Sequence, residues 1–221
     1  MSTGPKHALL REYALVAQAL AAPARLMLLE QLAQTEAAVE VLARKTGLTT
    51  ANASQHLQQL RRAGLVTSRR AGKAVIYRLT DTQTLGLMEL LHRVAESNLG
   101  QVTEILRGLA GESTPPEPVH RADLAERLAL GTVTLLDVRP LEEYVAAHIP
   151  GARQVSLEAL AGLIHTLDPE TEIVAYCRGP YCIYAHQAVA LLRRHGRNAR
   201  RMQGGLPDWR AEGRPVQCGT A

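Results

Sequence analysis

The sequence predicts two domains: a mostly helical α+β domain with one β-hairpin over residues 1–111, and an α/β domain with a parallel sheet over residues 119–221. Three observations predict it. Helical spacing of apolar residues dominates the first half and is interrupted once, by an alternating stretch around a glycine. In the second half, short runs of buried-strand character alternate with helical ones, the pattern of strands joined by crossover helices. Between the halves stands Glu112 to Pro118, with Ser113-Thr114-Pro115-Pro116-Glu117-Pro118, which reads as a linker over residues 112–118.

Charge separates the halves in the same place. Residues 1–110 hold 13 Lys and Arg against 8 Asp and Glu, whereas residues 111–221 hold 12 against 13, so the halves carry +5 and −1. From Val41 to Thr80 there is no carboxylate, and Arg44, Lys45, Arg61, Arg62, Arg69, Arg70, Lys73 and Arg78 supply eight cations. Such a segment is drawn to the phosphate backbone of nucleic acid. Apolar residues make up 46% of the chain, but there is no Phe and aromatics total 3%, so the cores must be Leu, Ala and Val. That composition disfavours stacking platforms for single-stranded bases.

Tyr13 to Ala24, the longest uncharged apolar-rich run, is too short to span a bilayer, so no membrane partner is expected. A signal-peptide reading of Lys6 to Ala21, cleaved at Ala19-Leu20-Ala21, competes with the helical spacing of Leu9, Leu10, Tyr13, Ala17 and Leu20. The helix and the basic segment after it favour a cytoplasmic protein, whose three cysteines would be reduced at rest.

In the first half, Val39, Leu42 and Ala43 begin a short helix that Thr46-Gly47 stops. Thr49 or Thr50 caps the next one, on which Ala53, Leu57 and Leu60 form a narrow core face. Hydroxyls, short amides and arginine cover the rest of it, the side chains that read base edges from a helix in the major groove. Thr50, Asn52, Ser54, Gln55, His56, Gln58, Gln59 and Arg62 are therefore the candidate DNA-reading residues. After Ala63-Gly64, Leu65 to Leu79 alternates apolar and polar residues around Gly72, a hairpin whose tip carries Arg69, Arg70 and Lys73 for phosphate contacts.

Ala21-Ala22-Pro23-Ala24-Arg25-Leu26, Ser54 through Val66, and the Gly72–Leu79 hairpin together resemble the ArsR/SmtB family of winged helix-turn-helix regulators over residues 8–108. The resemblance implies a homodimer that occupies double-stranded operator DNA and leaves it when an inducer arrives. The sequence supports the dimer independently. Thr80-Asp81-Thr82-Gln83 has capping-box spacing, and Leu85, Met88, Leu91, Ala95, Leu99, Val102, Leu106 and Leu109 continue as a helical stripe too long for one short domain to cover. Many relatives bind metal through cysteines before the recognition helix, yet Val39-Glu40-Val41-Leu42 has none and no Cys precedes residue 177. On the long helix only Asp81 and His92 occur, without partners at ligand spacing. Neither a metal nor a cofactor is expected in this half.

In the second half, Thr132–Val138 and Glu172–Tyr176 read as buried strands, and Leu157–Leu167 and Ala185–Arg194 as helices. The second strand runs into Cys177-Arg178-Gly179-Pro180-Tyr181-Cys182 and then a helix. A cysteine there faces backbone N–H groups and the positive end of a helix dipole, which favour its thiolate. Asp137-Val138-Arg139-Pro140, Glu143-Tyr144, His148-Ile149-Pro150-Gly151-Ala152, the Cys177 loop and Gly204-Gly205-Leu206-Pro207-Asp208-Trp209 resemble a rhodanese-like domain over residues 119–214. That resemblance implies transfer of sulfane sulfur from a persulfide, polysulfide or thiosulfate donor through a persulfide on Cys177. Cys177, Arg178 and Cys182 are the candidate catalytic residues. Ile183 stands where related phosphatases carry a phosphate-gripping Arg, which disfavours phosphate esters. Asp137, Arg139, His148 and Trp209 read as structural.

Pro180 removes one N–H from the anion cradle, and Cys182 offers a resolving sulfur. Cys218 reads as a free tail thiol. The leading function is a repressor whose rhodanese-like domain senses reactive sulfur at Cys177 and Cys182. The alternatives are an active sulfurtransferase with an autoregulatory DNA-binding domain, and a repressor that answers to arsenite or another soft metalloid.

Overall fold

The computed structural model describes residues 4–110, 116–179 and 182–219, which fall into two compact units, Met1–Leu85 and Gly86–Ala221. Residues 111–115 of the predicted linker, and Pro180 and Tyr181 of the cysteine loop, lie outside the described residues. No helix among the described residues is long and apolar enough to cross a membrane.

In the first unit, α1 (Pro5–Leu20) and α2 (Pro23–Gln34) are separated by the restriction Pro23 imposes on Ala22, which adopts φ −151° and ψ 128°. Leu28, Leu29 and Leu32 of α2 are buried. A two-residue strand that the sequence does not announce, β1 (Ala37–Ala38), leads into α3 (Val39–Thr46). Gly47 ends α3 at φ 70°, and Leu48 N–H reaches back to Ala43 O at 2.9 Å, closing the turn as only a left-handed residue allows. Thr49 caps α4 (Thr50–Arg62), its hydroxyl accepting from Asn52 N–H at 3.2 Å. Ala53, Leu57 and Leu60 are fully buried, the core face expected from their spacing.

The wing is β2 (Val66–Ala71) and β3 (Ala74–Leu79), antiparallel in a register from Val66↔Leu79 to Ala71↔Ala74, with β1 on the other edge of β3. The two-residue turn uses Gly72 at φ 60°.

The long apolar stripe departs from expectation. It is divided between α5 (Gln83–Asn98) and α6 (Gly100–Ala110), and Leu99 at the break is 56% exposed. Asn98 donates from Nδ2 to Val94 O at 2.8 Å, occupying a carbonyl of the last turn, and Gly100 follows with little helical preference. The start of α5 also differs from a capping box at Thr80: Asp81 Oδ1 accepts from Gln83 N–H at 2.9 Å and Thr84 N–H at 3.2 Å.

The second unit is built on a parallel sheet in the order β5-β4-β6-β7, where β4 is Val133–Asp137, β5 Arg153–Gln154, β6 Glu172–Tyr176 and β7 Ala199–Arg201. Besides α6 and most of α5, its helices include α7 (Arg121–Ala129), α8 (Leu141–Ala146), α9 (Leu157–Leu163), α10 (Ile183–Arg194) and α11 (Leu206–Ala211). Strand alternation divides the core in two. Ile173, Ala175 and Cys177 pack in one cluster with Leu160, Ile164, Ala188 and Leu192, while Val174 and Tyr176 pack in the other with Leu124, Leu135, Tyr144 and Trp209. Cys177 therefore sits at the carboxyl end of a central strand, the end at which open α/β sheets present their loops to ligands.

Candidate functional site

Two groups of residues carry chemistry. In the first, α4 and the wing present Thr50, Asn52, Gln55, Gln58, Arg62, Arg69, Arg70 and Lys73 to solvent, whereas Ser54, His56 and Gln59 are half-buried. Three of these candidates have intramolecular constraints that their spacing did not reveal. Gln59 Oε1 accepts from Arg25 Nη1 at 2.5 Å, and the same guanidinium holds Ala19 O and Gln18 O at 2.6 Å each, tying the end of α1 to α4. His56 turns Nδ1 inward, where it has no hydrogen-bond partner. Arg69 forms an ion pair with Glu36, whose carboxyl the bonded guanidinium holds below its ordinary range. Among the described residues, the wing-tip cations not paired with a carboxylate are Arg70 and Lys73. Among the described residues no three His, Cys, Asp or Glu side chains converge as a metal site.

In the second group, Cys177 and Cys182 are joined by a disulfide with their Cα atoms 6.0 Å apart. This differs from the reduced thiols expected from the compartment; the Cα separation lies within the range that a disulfide spans. Cys218 is free and exposed. Cys177 is fully buried, and Cys182 is half-buried at the N-cap of α10.

Arg178 is turned onto Glu143 of α8. Its Nε lies 3.1 and 3.0 Å from the two carboxylate oxygens and Nη2 2.6 Å from Oε1. Glu143 is 3% exposed, so this bidentate pair anchors the cysteine loop to α8. The Arg178 guanidinium also lies 5.9 Å from the centre of the Tyr184 ring.

Asp137, Arg139, His148 and Trp209 fix loops. Buried Arg139 reaches Asp137 through Nη2 at 2.5 Å and Ala147 O at 2.7 Å. The His148 ring stacks 3.8 Å from that of Tyr144, and Trp209 donates to Pro215 O at 2.8 Å. Tyr176 accepts from Ile149 N–H at 3.1 Å, and burial together with the Asp137 charge pushes its hydroxyl well above the ordinary tyrosine range.

Beneath the loop lies a contact the motifs did not disclose. Leu206 N–H donates to Cys177 O at 3.2 Å, and a Cβ on Gly205 would fall against Arg178 C and Gly179 N and 2.5 Å from Arg178 O. The doubled glycine was the sequence signal for this close backbone approach. What it approaches is a long-range fact.

Comparison with known proteins agrees with both halves. A helix-turn-helix domain model matches residues 20–69, and a rhodanese-like domain model matches residues 120–212. The HTH-type transcriptional regulator Rv0324 of Mycobacterium tuberculosis is 42% identical over 215 residues, covering 97% of this chain and 94% of its own. Among solved structures, the homodimeric winged helix-turn-helix DNA-binding domain (fragment 1–100) of Mb0332 from Mycobacterium bovis is 40% identical with a TM-score of 0.41, covering 45% of this chain and 92% of its own. A rhodanese-related protein of Thermoplasma volcanium is 25% identical with a TM-score of 0.42, covering 46% and 98%. With a relative of this identity matched over nearly its whole length, the chain belongs to the ArsR/SmtB-type winged helix-turn-helix transcriptional regulators that continue into a rhodanese-like domain.

Proposed function

We propose that this protein is a dimeric, cytoplasmic, operator-binding repressor that reads reactive sulfur through Cys177 and Cys182. One observation carries the reading: two sulfurs are bonded across a loop at the carboxyl end of a central strand, in a chain with no cysteine before residue 177. The DNA-binding half has a capped helix with exposed amides and a basic wing, and nothing in it resembles a thiol sensor. Thr50, Asn52, Gln55, Gln58 and Arg62 would face base edges and Arg70 and Lys73 phosphates, while Ser54, His56, Gln59 and Arg69 act within the constraints above. Leu9, Leu10 and Tyr13 on α1, and Leu90, Val94 and Ile105 on α5 and α6, are each at least half exposed, apolar surface that a second copy would cover.

The sulfur chemistry balances without a cofactor. The Cys177 thiolate attacks the outer sulfur of a donor persulfide, the donor S–S bond breaks, and the donor leaves as a thiolate. The Cys182 thiolate then attacks the Cys177 sulfur, forming the disulfide and expelling hydrosulfide. A dithiol reductant resets the pair and is itself oxidised to a disulfide. Arg178 serves this cycle through Glu143, by holding the loop in place.

The test uses the full chain and a duplex that the reduced protein selects from a random-sequence pool. Cys177→Ser should keep the affinity of the reduced protein and lose release by polysulfide, followed by fluorescence anisotropy. Release of the Cys177→Ser protein equal to that of the wild type refutes the reading. Sustained thiocyanate production from thiosulfate at catalytic rates would instead favour a working sulfurtransferase.

A further inference from the structure

The regulator reading leaves open how a loop at Cys177 reaches the helices of the DNA-binding half, and the second unit contains a continuous physical connection. It starts at the bare backbone contact beneath the loop. With no side chain between Gly205 and Arg178–Gly179, displacement of the loop must be passed to residues 204–206. Gly204, at φ 75°, leaves no room on its own far side: a Cβ there would lie 2.6 Å from both Arg121 Nη1 and Asp208 Oδ2. Asp208 Oδ2 in turn accepts from Gly205 N–H at 2.7 Å.

Arg121, at the start of α7, gathers this segment. Its side chain is 12% exposed; Nη1 donates to Gln203 O at 3.1 Å and Nε to Glu212 Oε1 at 2.5 Å. Its remaining nitrogen, Nη2, lies 3.6 Å from Glu89 Oε1 on α5. A planar guanidinium holds three such directions in a fixed fork, whereas an ammonium turns its three donors on a flexible stem. Cys182 has a connection of its own, since α10 begins directly after it and packs against α6. The helix that bears Glu89 begins at Gln83, in the first unit.

Resting on the sulfur-sensor reading, we infer that Arg121 is the positioning residue that transmits the state of the Cys177 loop to α5, through Gly204–Gly205 on one side and Glu89 on the other. It takes no part in the sulfur chemistry.

The experiment measures duplex affinity of the full-length protein in its reduced and Cys177–Cys182 disulfide forms, with mass spectrometry to count the bond. Wild type is expected to lose about 5–150-fold in affinity on oxidation. Arg121→Gln should form the disulfide as wild type does and bind DNA when reduced, but its oxidised and reduced affinities should agree within about twofold, against that same coupling range. Glu89→Gln, which removes the carboxylate facing Arg121 from α5, should show the same collapse and decides the matter where Arg121→Gln does not fold. A wild-type ratio in Glu89→Gln and in any folded Arg121→Gln overturns the inference, as does a collapse caused by failure to form the disulfide. Absence of any ratio in wild type brings down the sensor reading, and this inference with it.

Discussion

Replacing Gly205 by Ala tests whether the cysteine loop rests on residues 204–206. The backbone at Gly205 is extended, φ −148° and ψ −169°, so alanine suffers no conformational strain there. The entire penalty comes from contact: a Cβ would sit 2.5 Å from Arg178 O and must reach 3.4 Å, so the two backbones must part by about 1 Å. That opening stretches the Leu206 N–H to Cys177 O bond, now 3.2 Å. Overpacking of this kind costs about 1–3 kcal/mol, which for a unit of this size lowers Tm by roughly 3–5 °C per kcal/mol. Gly162, within α9, is the matched control, because nothing lies within 4 Å of its Cβ position and its φ is not left-handed. Gly162→Ala should be neutral or stabilising by a fraction of about 1 kcal/mol. Calorimetry of the full chain decides the case, read on the transition of the rhodanese-like unit. A Gly205→Ala transition within 1 °C of wild type, at about the precision of such a scan, would show that the loop is not supported in this way.

On the DNA side, Arg70→Ala and Lys73→Ala should each flatten the slope of log affinity against log salt by about 0.9, while Glu36→Gln, which frees Arg69, should steepen it by a similar amount; equal slopes in all four proteins refute the assignment of the wing to phosphates. Glu172 gives a pH signature. Its carboxyl is 11% exposed yet held below its ordinary range, because bonds from Arg200 and Arg127 outweigh the burial that opposes ionisation. The stability this supplies is full above the unfolded value of about 4.3 and is lost as pH falls through the lowered folded value, so Glu172→Gln should flatten the acid limb of a denaturation series below about pH 5, and an unchanged limb counts against the pair. Linkage supplies a further check: if oxidation weakens operator binding tenfold, saturating operator must raise the potential of the Cys177–Cys182 couple by about 30 mV, and an unmoved potential in a glutathione titration would detach release from this disulfide.

How much of this was legible in the sequence depends on the range of the forces involved. The recognition helix was readable because its cap, its core face and its exposed amides are all set within one element, and the wing because Gly72 marks a two-residue turn between alternating strands. The break at Leu99 was hidden by an apolar stripe that runs through it, with Asn98 and Gly100 as the only local hints. β1 has two alanines and no strand preference of its own; it exists because the edge of β3 offers unpaired backbone groups. The strand, loop and helix around Cys177 were legible, but Arg25 on Gln59, Glu36 on Arg69 and Glu143 on Arg178 join residues more than 30 positions apart, and nothing in either partner's neighbourhood names the other.

The energies expected of the loop match what the proposed sensor would need. Cys177 is fully buried in a cluster that includes Ala185, Ala188 and Leu192, so on the proposed reading a terminal sulfur on the reduced Cys177 would have to be accommodated among packed side chains. Accommodating one atom in a packed core costs about 1–3 kcal/mol unless the backbone moves, and here the backbone that would move is the one stacked on Gly205. The strain of sulfuration and the coupling of an ordinary allosteric site, also about 1–3 kcal/mol, are therefore of one size. A single loop of that strength changes operator occupancy by a factor of tens, whereas switching from nearly full to nearly empty takes about 5.5 kcal/mol. In the proposed dimer two such loops would together supply about 2–6 kcal/mol on the same scale, which reaches that threshold only when both are modified. That proposed arrangement would convert a graded chemical event at each cysteine into a steep response at the DNA.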